Sequence, residues 1–283
     1  MSALEAVAAF LRCPICAFPV RVTGGQLGCA RGHRFDIARQ GYVSLTSGRG
    51  GPGTGDSAEM VMARERFLSG GHYQALASAI AELAEPRDSA VGPGLVVDLA
   101  GGTGYYLARV LDSLSERLGA CLDLSAPALR RAARAHARAA AIGADAWQPL
   151  PLADGSATVV LSVCGPRNAG EIRRVLAPGG ALIVATPAAD HLRELREPLG
   201  MIGVDERKTE RLADAYGDFA RAELRVLRWK LSLDHGDVAA VAAMGPSARH
   251  IEAGDLTARV SGLPSPVTVT VDFEIRVLVR PGG

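Results

Sequence analysis

Val96-Val97-Asp98-Leu99-Ala100-Gly101-Gly102-Thr103-Gly104 reads as a short apolar strand running into a glycine-rich turn, with a carboxylate near the strand's end. Glycine at 101, 102 and 104 frees the backbone for a tight turn and lets a ligand approach the chain closely. Outward from this stretch, apolar runs alternate with helical patterns: strand 96–99, helix 105–118, strand 120–123, helix 127–139, strand 158–163, helix 169–175 and strand 181–186. These strands are continuously apolar, which predicts a parallel sheet covered by helices on both faces, a doubly wound α/β architecture. Segments 224–233 and 267–278 alternate more strictly and predict an antiparallel closing pair, with helical segments 237–244 and 253–263 between them.

The glycine turn selects among nucleoside cofactors. Asp123 follows Gly104 by 19 residues, at the end of the next strand, where a carboxylate can accept hydrogen bonds from both ribose hydroxyls. A dinucleotide fingerprint would place another glycine at 107, but Leu107 stands there after Tyr105 and Tyr106, and no P-loop Gly-Lys-Ser/Thr occurs. A cofactor with a ribose and no phosphate, S-adenosyl-L-methionine, fits best. Asp98, Gly101, Gly102, Gly104, Leu107 and Asp123 form its expected cradle, and Asp145-Ala146, where the third strand should end, is placed to meet adenine.

A second motif lies near the start: Cys13, Cys16, Cys29 and His33 form C-x2-C-x12-C-x3-H, two chelating pairs suited to one tetrahedral zinc ion. All four ligands come from protein, so the expected metal is structural and folds a piece too small to fold alone. Cys121 and Cys164 stand apart inside apolar runs, a reducing-compartment pattern, and no run reaches the roughly 18 apolar residues of a membrane span. A soluble, cytoplasmic protein without membrane partners is expected. The 31 Lys+Arg balance 30 Asp+Glu, so any polyanion contact must be local. Residues 1–50 offer one candidate, six arginines (12, 21, 31, 34, 39, 49) against Glu5 and Asp36, an excess of four that the thiolates and metal reduce by one. Arg130, Arg131, Arg134 and Arg138 are read as a solvated stripe on the helix at 127–139, with Arg130, Arg134 and Arg138 at i, i+4 spacing.

Three units are expected: a metal module at 1–46, a linker with two bridging helices at 47–92, and the cofactor-binding domain at 93–283. Ser47 to Gly55 is the glycine-rich part of that linker, and Asp56 or Ser57 caps the first bridging helix.

The helix, Pro-Gly-Gly turn and strand of Val175-Leu176-Ala177-Pro178-Gly179-Gly180-Ala181-Leu182 complete the element order of class I methyltransferases. Gly32-His33-Arg34-Phe35-Asp36, Ala38-Arg39-Gln40-Gly41-Tyr42-Val43, Gly55-Asp56-Ser57-Ala58-Glu59-Met60 and Gly71-His72-Tyr73 sharpen the resemblance, as do Gly165-Pro166-Arg167-Asn168 and His191-Leu192. Over nearly its whole length the chain resembles the RlmA family, and Leu233-Asp234-His235 with Met244-Gly245-Pro246-Ser247 resembles its RlmA(II), tylosin-resistance branch. That resemblance implies a class I fold with a mixed seven-stranded sheet, methylation of guanine N1 in a 23S rRNA hairpin near the peptide exit tunnel, structural zinc in an RNA-recognition module, and a homodimer. By the same route Tyr73, Tyr106 and His191 are expected at the cofactor, and Arg167 and Asn168 at the guanine edge as the catalytic pair. One departure is Ala100, which replaces the first glycine of D-x-G-x-G-x-G and is expected at negative φ. Two rivals are a small-molecule methyltransferase, which has no need of the metal module, and a ribosome-binding protein that keeps the cofactor only as a structural ligand.

Overall fold

The computed structural model describes residues 1–46, 55–85, 94–166, 168–203 and 216–282. Ser47 to Thr54 and Arg167 therefore lie outside the described residues.

The sheet forms where the sequence places it. Strand β5 (Leu95–Leu99) is buried along its whole length and pairs in parallel with β6 (Leu118–Asp123) on one side and β8 (Ala157–Val163) on the other. From β6 the sheet continues in parallel to β7 (Ala139–Gly143), and from β8 in parallel to β9 (Leu176–Pro187). Strands β11 (Val267–Val279) and β10 (Ala220–Leu233) close it as the expected antiparallel pair. The chain thus leaves β5 in one direction and later resumes beside it in the other, which opens a crevice at the carboxyl ends of β5 and β8.

Two corrections concern this sheet. It has eight strands instead of seven, because β4 (Val43–Ser44) from the N-terminal segment pairs in parallel with β7. The helices also stop earlier than alanine content suggests: α4 spans Tyr105–Ser113 and α5 spans Ala126–Ala135, while Ala139-Ala140-Ala141 lies in β7. Alanine favours helix only weakly, and burial between β6 and β4 outweighs that preference. Arg138 consequently leaves the expected stripe. It turns inward and donates to the carbonyls of Leu114 and Arg117, both at 2.6 Å, and of Leu111, closing the C-terminal end of α4.

The N-terminal segment opens with α1 (Ala3–Val7), held by a Ser2/Glu5 capping box. A small antiparallel sheet follows, β1 (Val20–Thr23), β2 (Gln26–Cys29) and β3 (Arg34–Asp36). Its first turn is Gly24-Gly25, both at positive φ (58° and 78°), as a two-residue hairpin of this hand requires. Leu4, Val7 and Leu11 share one apolar core with Val97, Ala120, Leu122 and Ile142 of the large sheet. Leu11 also bridges to Leu152, and Arg12 N–H donates to Pro151 O at 3.0 Å.

Helices α2 (Ala58–Ser69) and α3 (Gln74–Ala84) lie where the bridging pair was expected, and Ser57 is the cap, accepting from Met60 N–H at 3.3 Å. The remaining elements are α6 (Ala169–Val175), α7 (Arg193–Leu199), α8 (His235–Ala243) and α9 (Ala253–Ser261). No described helix is long and apolar enough to cross a membrane.

Candidate functional site

The metal cluster assembles at the open end of the small sheet. Cys13 and Cys16 sit on the knuckle before β1, Cys29 ends β2, and His33 precedes β3. Their ligand atoms all lie within 4.8 Å of one another. Cys13 Sγ is 3.5 Å and Cys29 Sγ 3.4 Å from His33 Nδ1, and Cys16 Sγ is 3.7 Å from Cys29 Sγ. A tetrahedron with Zn–S near 2.3 Å and Zn–N near 2.0 Å has edges of roughly 3.5–3.8 Å, so the cluster has the size zinc demands. Burial pushes Cys29 up, but N–H groups of His33 and Arg31 and the side chains of Cys16 and His33 outweigh it and hold the thiol at about 6. Cys13, by contrast, is raised by burial. The donor set is closed and protein-only, which fits structural zinc.

The cofactor crevice is built from the quoted glycine turn. Gly101 has no room for a side chain: a Cβ there would lie 2.7 Å from Asp98 and Cys121. Gly102 (φ 58°) and Gly104 (φ 78°) are left-handed, and Gly104 starts α4 directly. Asp123 spans the turn's outer side, accepting from Gly102 N–H at 2.9 Å and Ser125 N–H at 2.8 Å. Asp98 is buried, and its Oδ2 has no hydrogen-bond partner among the described residues. Burial, the Asp123 carboxylate and an opposing bond from Leu107 N–H together set its acidity at about 8. An orphaned carboxyl oxygen beside a side-chain-free turn, with a second carboxylate across it, is what a ribose-bearing ligand needs, and S-adenosylmethionine fits these residues.

Ala100 corrects an expectation. It lies at φ 53°, in the left-handed region, where a Cβ is disfavoured. The reversal that brings Gly101 N–H back to Leu122 O at 3.2 Å leaves residue 100 little choice.

The other expected residues fall into three groups. Tyr73 is buried at the start of α3, its hydroxyl 3.1 Å from His191 Nε2. Asp272 N–H donates to His191 Nδ1 at 3.3 Å, so Nε2 carries the proton of the neutral ring and donates to Tyr73. Burial and Cys164 raise Tyr73, and the same influences with Tyr73, Tyr105 and Asp98 raise Tyr106; the Tyr73 ring packs edge-on against Phe67 and Phe273, and Tyr106 edge-on against Tyr105. At the adenine position Asp145 Oδ1 accepts from Trp147 N–H at 2.9 Å, Ala146 is buried, and the Trp147 side chain stands 64% exposed beside them. Leu107 is brought to the crevice only through its backbone, because its side chain is wholly buried. Asn168 caps α6, with Oδ1 accepting from Glu171 N–H at 3.4 Å, and Arg167 lies outside the described residues.

Arg64 was missed by sequence reasoning. It lies in α2 and reaches Asp56 at 2.5 Å and Met244 O at 2.9 Å. Met244 lies 180 residues away and Asp56 stands before the helix, so no i,i+3 or i,i+4 spacing marks the pair.

Comparison with known proteins covers both motifs. Residues 11–46 match the family described as RlmA, N-terminal, a zinc ribbon, and residues 96–180 match a methyltransferase domain family. The chain is 46% identical over 272 residues to the 23S rRNA (guanine(748)-N(1))-methyltransferase of Streptomyces fradiae, covering 95% of this chain and 97% of that one. It is 48% identical over 277 residues to a Micromonospora griseorubida protein provisionally assigned as a 23S rRNA (guanine-N(1)-)-methyltransferase (92% and 94% coverage). In fold alone it resembles the YcgJ protein of Bacillus subtilis, with TM-score 0.50, 12% identity, and coverage of 73% of this chain and 98% of that one.

Proposed function

The chain belongs to the family of 23S rRNA (guanine-N(1)-)-methyltransferases, and from that premise we propose that it methylates N1 of a guanine in a 23S rRNA hairpin near the peptide exit tunnel. The observation that carries this reading is the joining of a closed Cys3His cluster to an Asp98/Asp123 glycine-turn crevice through one shared core. When bound, S-adenosylmethionine supplies a sulfonium methyl for in-line displacement: the S–C bond breaks as the N1–C bond forms, and the guanine N1 proton leaves to solvent.

The chain's own residues then bind, orient and exclude water. Asp123 accepts the ribose hydroxyls, with its orientation fixed by the N–H groups of Gly102 and Ser125. Asp98 stays protonated at neutral pH and can donate from the floor of the crevice. Tyr73, locked by His191, walls the side nearest Cys164 together with Tyr106. Asp145 and Ala146 border the adenine end. Arg167 and Asn168 grip the guanine edge, Asn168 through the amide nitrogen that its capping role leaves over. Orientation of this kind supplies much of the rate in an in-line displacement.

The zinc module positions RNA and does no chemistry. Its face carries half-exposed Phe18 with the Arg31 guanidinium 4.3 Å above the ring, a cation and a stacking surface together. Phe18→Ala with Arg31→Ala is expected to weaken hairpin binding at least tenfold and leave S-adenosylhomocysteine affinity unchanged, as measured by filter binding and calorimetry. Unaltered hairpin affinity would refute that role. The protein acts as a homodimer in the cytoplasm, and the tylosin-type branch motifs favour a role in macrolide resistance. Transfer of labelled methyl from S-adenosylmethionine to 23S transcript, lost in Asp123→Ala, tests the whole reading. Tight cofactor binding without transfer would favour a non-catalytic ribosome-binding protein.

A further inference from the structure

Two sequence motifs, Gly55-Asp56-Ser57 and Met244-Gly245-Pro246-Ser247, have no part in the chemistry above, yet Arg64 joins both to the cofactor crevice. Its Nη1 pairs with Asp56 Oδ2 at 2.5 Å, and its Nη2 donates to Met244 O at 2.9 Å. The same guanidinium lies against the bare face of Gly102, where a Cβ would sit 3.0 Å from Nη1. Asp56 is anchored in turn: Ser125 Oγ donates to Asp56 O at 2.7 Å, while Arg249 lies 3.7 Å from Asp56 Oδ1 and donates to Gly55 O at 3.3 Å. Gly102 and Ser125 are the two residues whose N–H groups hold Asp123. The clasp therefore grips the ribose carboxylate from both sides of its backbone cradle.

We propose that Arg64 is a positioning residue of the methyl-donor site: clasped by Asp56 and Met244, it sets a cation on the Asp123 side of the crevice and pins the glycine turn whose N–H orients Asp123 for the ribose hydroxyls. The inference rests on the reading of Asp123 as the ribose acceptor. Several groups act on that carboxylate. Burial raises it, the N–H groups of Ser125 and Gly102 lower it, Asp56 raises it and Arg64 lowers it. Asp98 on β5 and Cys121 on β6 also face it and are themselves raised by its charge. On balance Asp123 is raised, and Arg64 partly offsets burial and the Asp56 charge, while Asp98 and Cys121, which keep their protons at neutral pH, add no repulsion.

The sign of the effect makes it testable. Without Arg64, Asp123 protonates at higher pH, so donor affinity is lost earlier as pH falls. Without the Asp56 charge, Asp123 stays ionised to lower pH. Calorimetry with S-adenosylhomocysteine on the zinc-loaded full chain, from pH 5.5 to 8.5, separates the two. Arg64→Met is expected to bind more weakly at the acid end of the range, by at most about tenfold for each pKa unit by which its loss raises Asp123, with the deficit shrinking toward pH 8.5 and Arg64→Lys restoring part of it. Asp56→Asn keeps an oxygen that accepts from Arg64 while removing the charge, so it is expected to move the profile the opposite way, and it carries the test if Arg64→Met fails to fold. A profile of unchanged shape in the folded variants, whether superimposed or offset by a constant factor, would overturn the inference and leave the cofactor reading standing. Absence of binding by the unmodified protein would instead overturn that reading.

Discussion

Ala100 and Asp98 show how single residues at the strand-to-turn junction set opposing demands. At φ 53°, Ala100 pays for a conformation that glycine adopts freely. Ala100→Gly is expected to stabilise the protein by about 1 kcal/mol, raise the thermal midpoint and leave donor affinity equal or higher; a lower midpoint would contradict the strain. Asp98 stores its cost electrostatically. An ordinary aspartate titrates near 3.8, whereas in the fold Asp98 keeps its proton to about 8. The folded state therefore binds more protons than the unfolded chain between those values, and this group's contribution to stability falls as pH rises through that window. Asp98→Asn, neutral throughout, is expected to match the unmodified protein near pH 4 and to melt higher near pH 8. Parallel melting profiles would refute the assignment. The glycine turn and the acid that braces it were legible because glycine spacing and strand-end acids are local signals. The φ of Ala100 was not, since it depends on how the turn folds back to Leu122, and Arg64 was not, since Met244 lies 180 residues away and Asp56 stands before the helix at no helical pairing interval.

Strands β4 and β7 mark where pattern reading stops working for whole elements. Ala139-Ala140-Ala141 carries no strand signal of its own, and only the neighbours on both sides make it one. Strand β4 is two residues long, too short to announce itself, yet Val43 is fully buried and extends the sheet to eight strands. Val43→Asp is expected to cost roughly 3 kcal/mol or more, because it places an unpaired carboxylate in a shared apolar core. Denaturant unfolding that shows a loss under about 1 kcal/mol would mean β4 contributes little. By contrast the long periodic elements, β5, β6, β8 and the closing pair β10 and β11, were readable because burial fixes a pattern over many residues.

At the scale of the molecule, the zinc module and the large sheet share one core, so the metal stabilises more than its own ribbon. One zinc per chain is expected by elemental analysis, and its removal by chelator should lower the thermal midpoint of the entire transition; release of zinc with no change in melting would contradict that coupling. The presence of a zinc ribbon and a methyltransferase domain was legible from ligand spacing and the glycine turn, whereas the continuity of the core was not, because Leu4, Val7 and Leu11 give only a short apolar run. A methyl group on guanine N1 blocks the Watson–Crick edge, so reverse transcriptase halts beside the modified base. The most direct measurement is therefore primer extension along 23S transcript incubated with the protein and S-adenosylmethionine: one new donor-dependent stop at a hairpin guanine, absent with Asp123→Ala, is the expected result, and a readable transcript without any such stop, despite bound donor, would contradict the account.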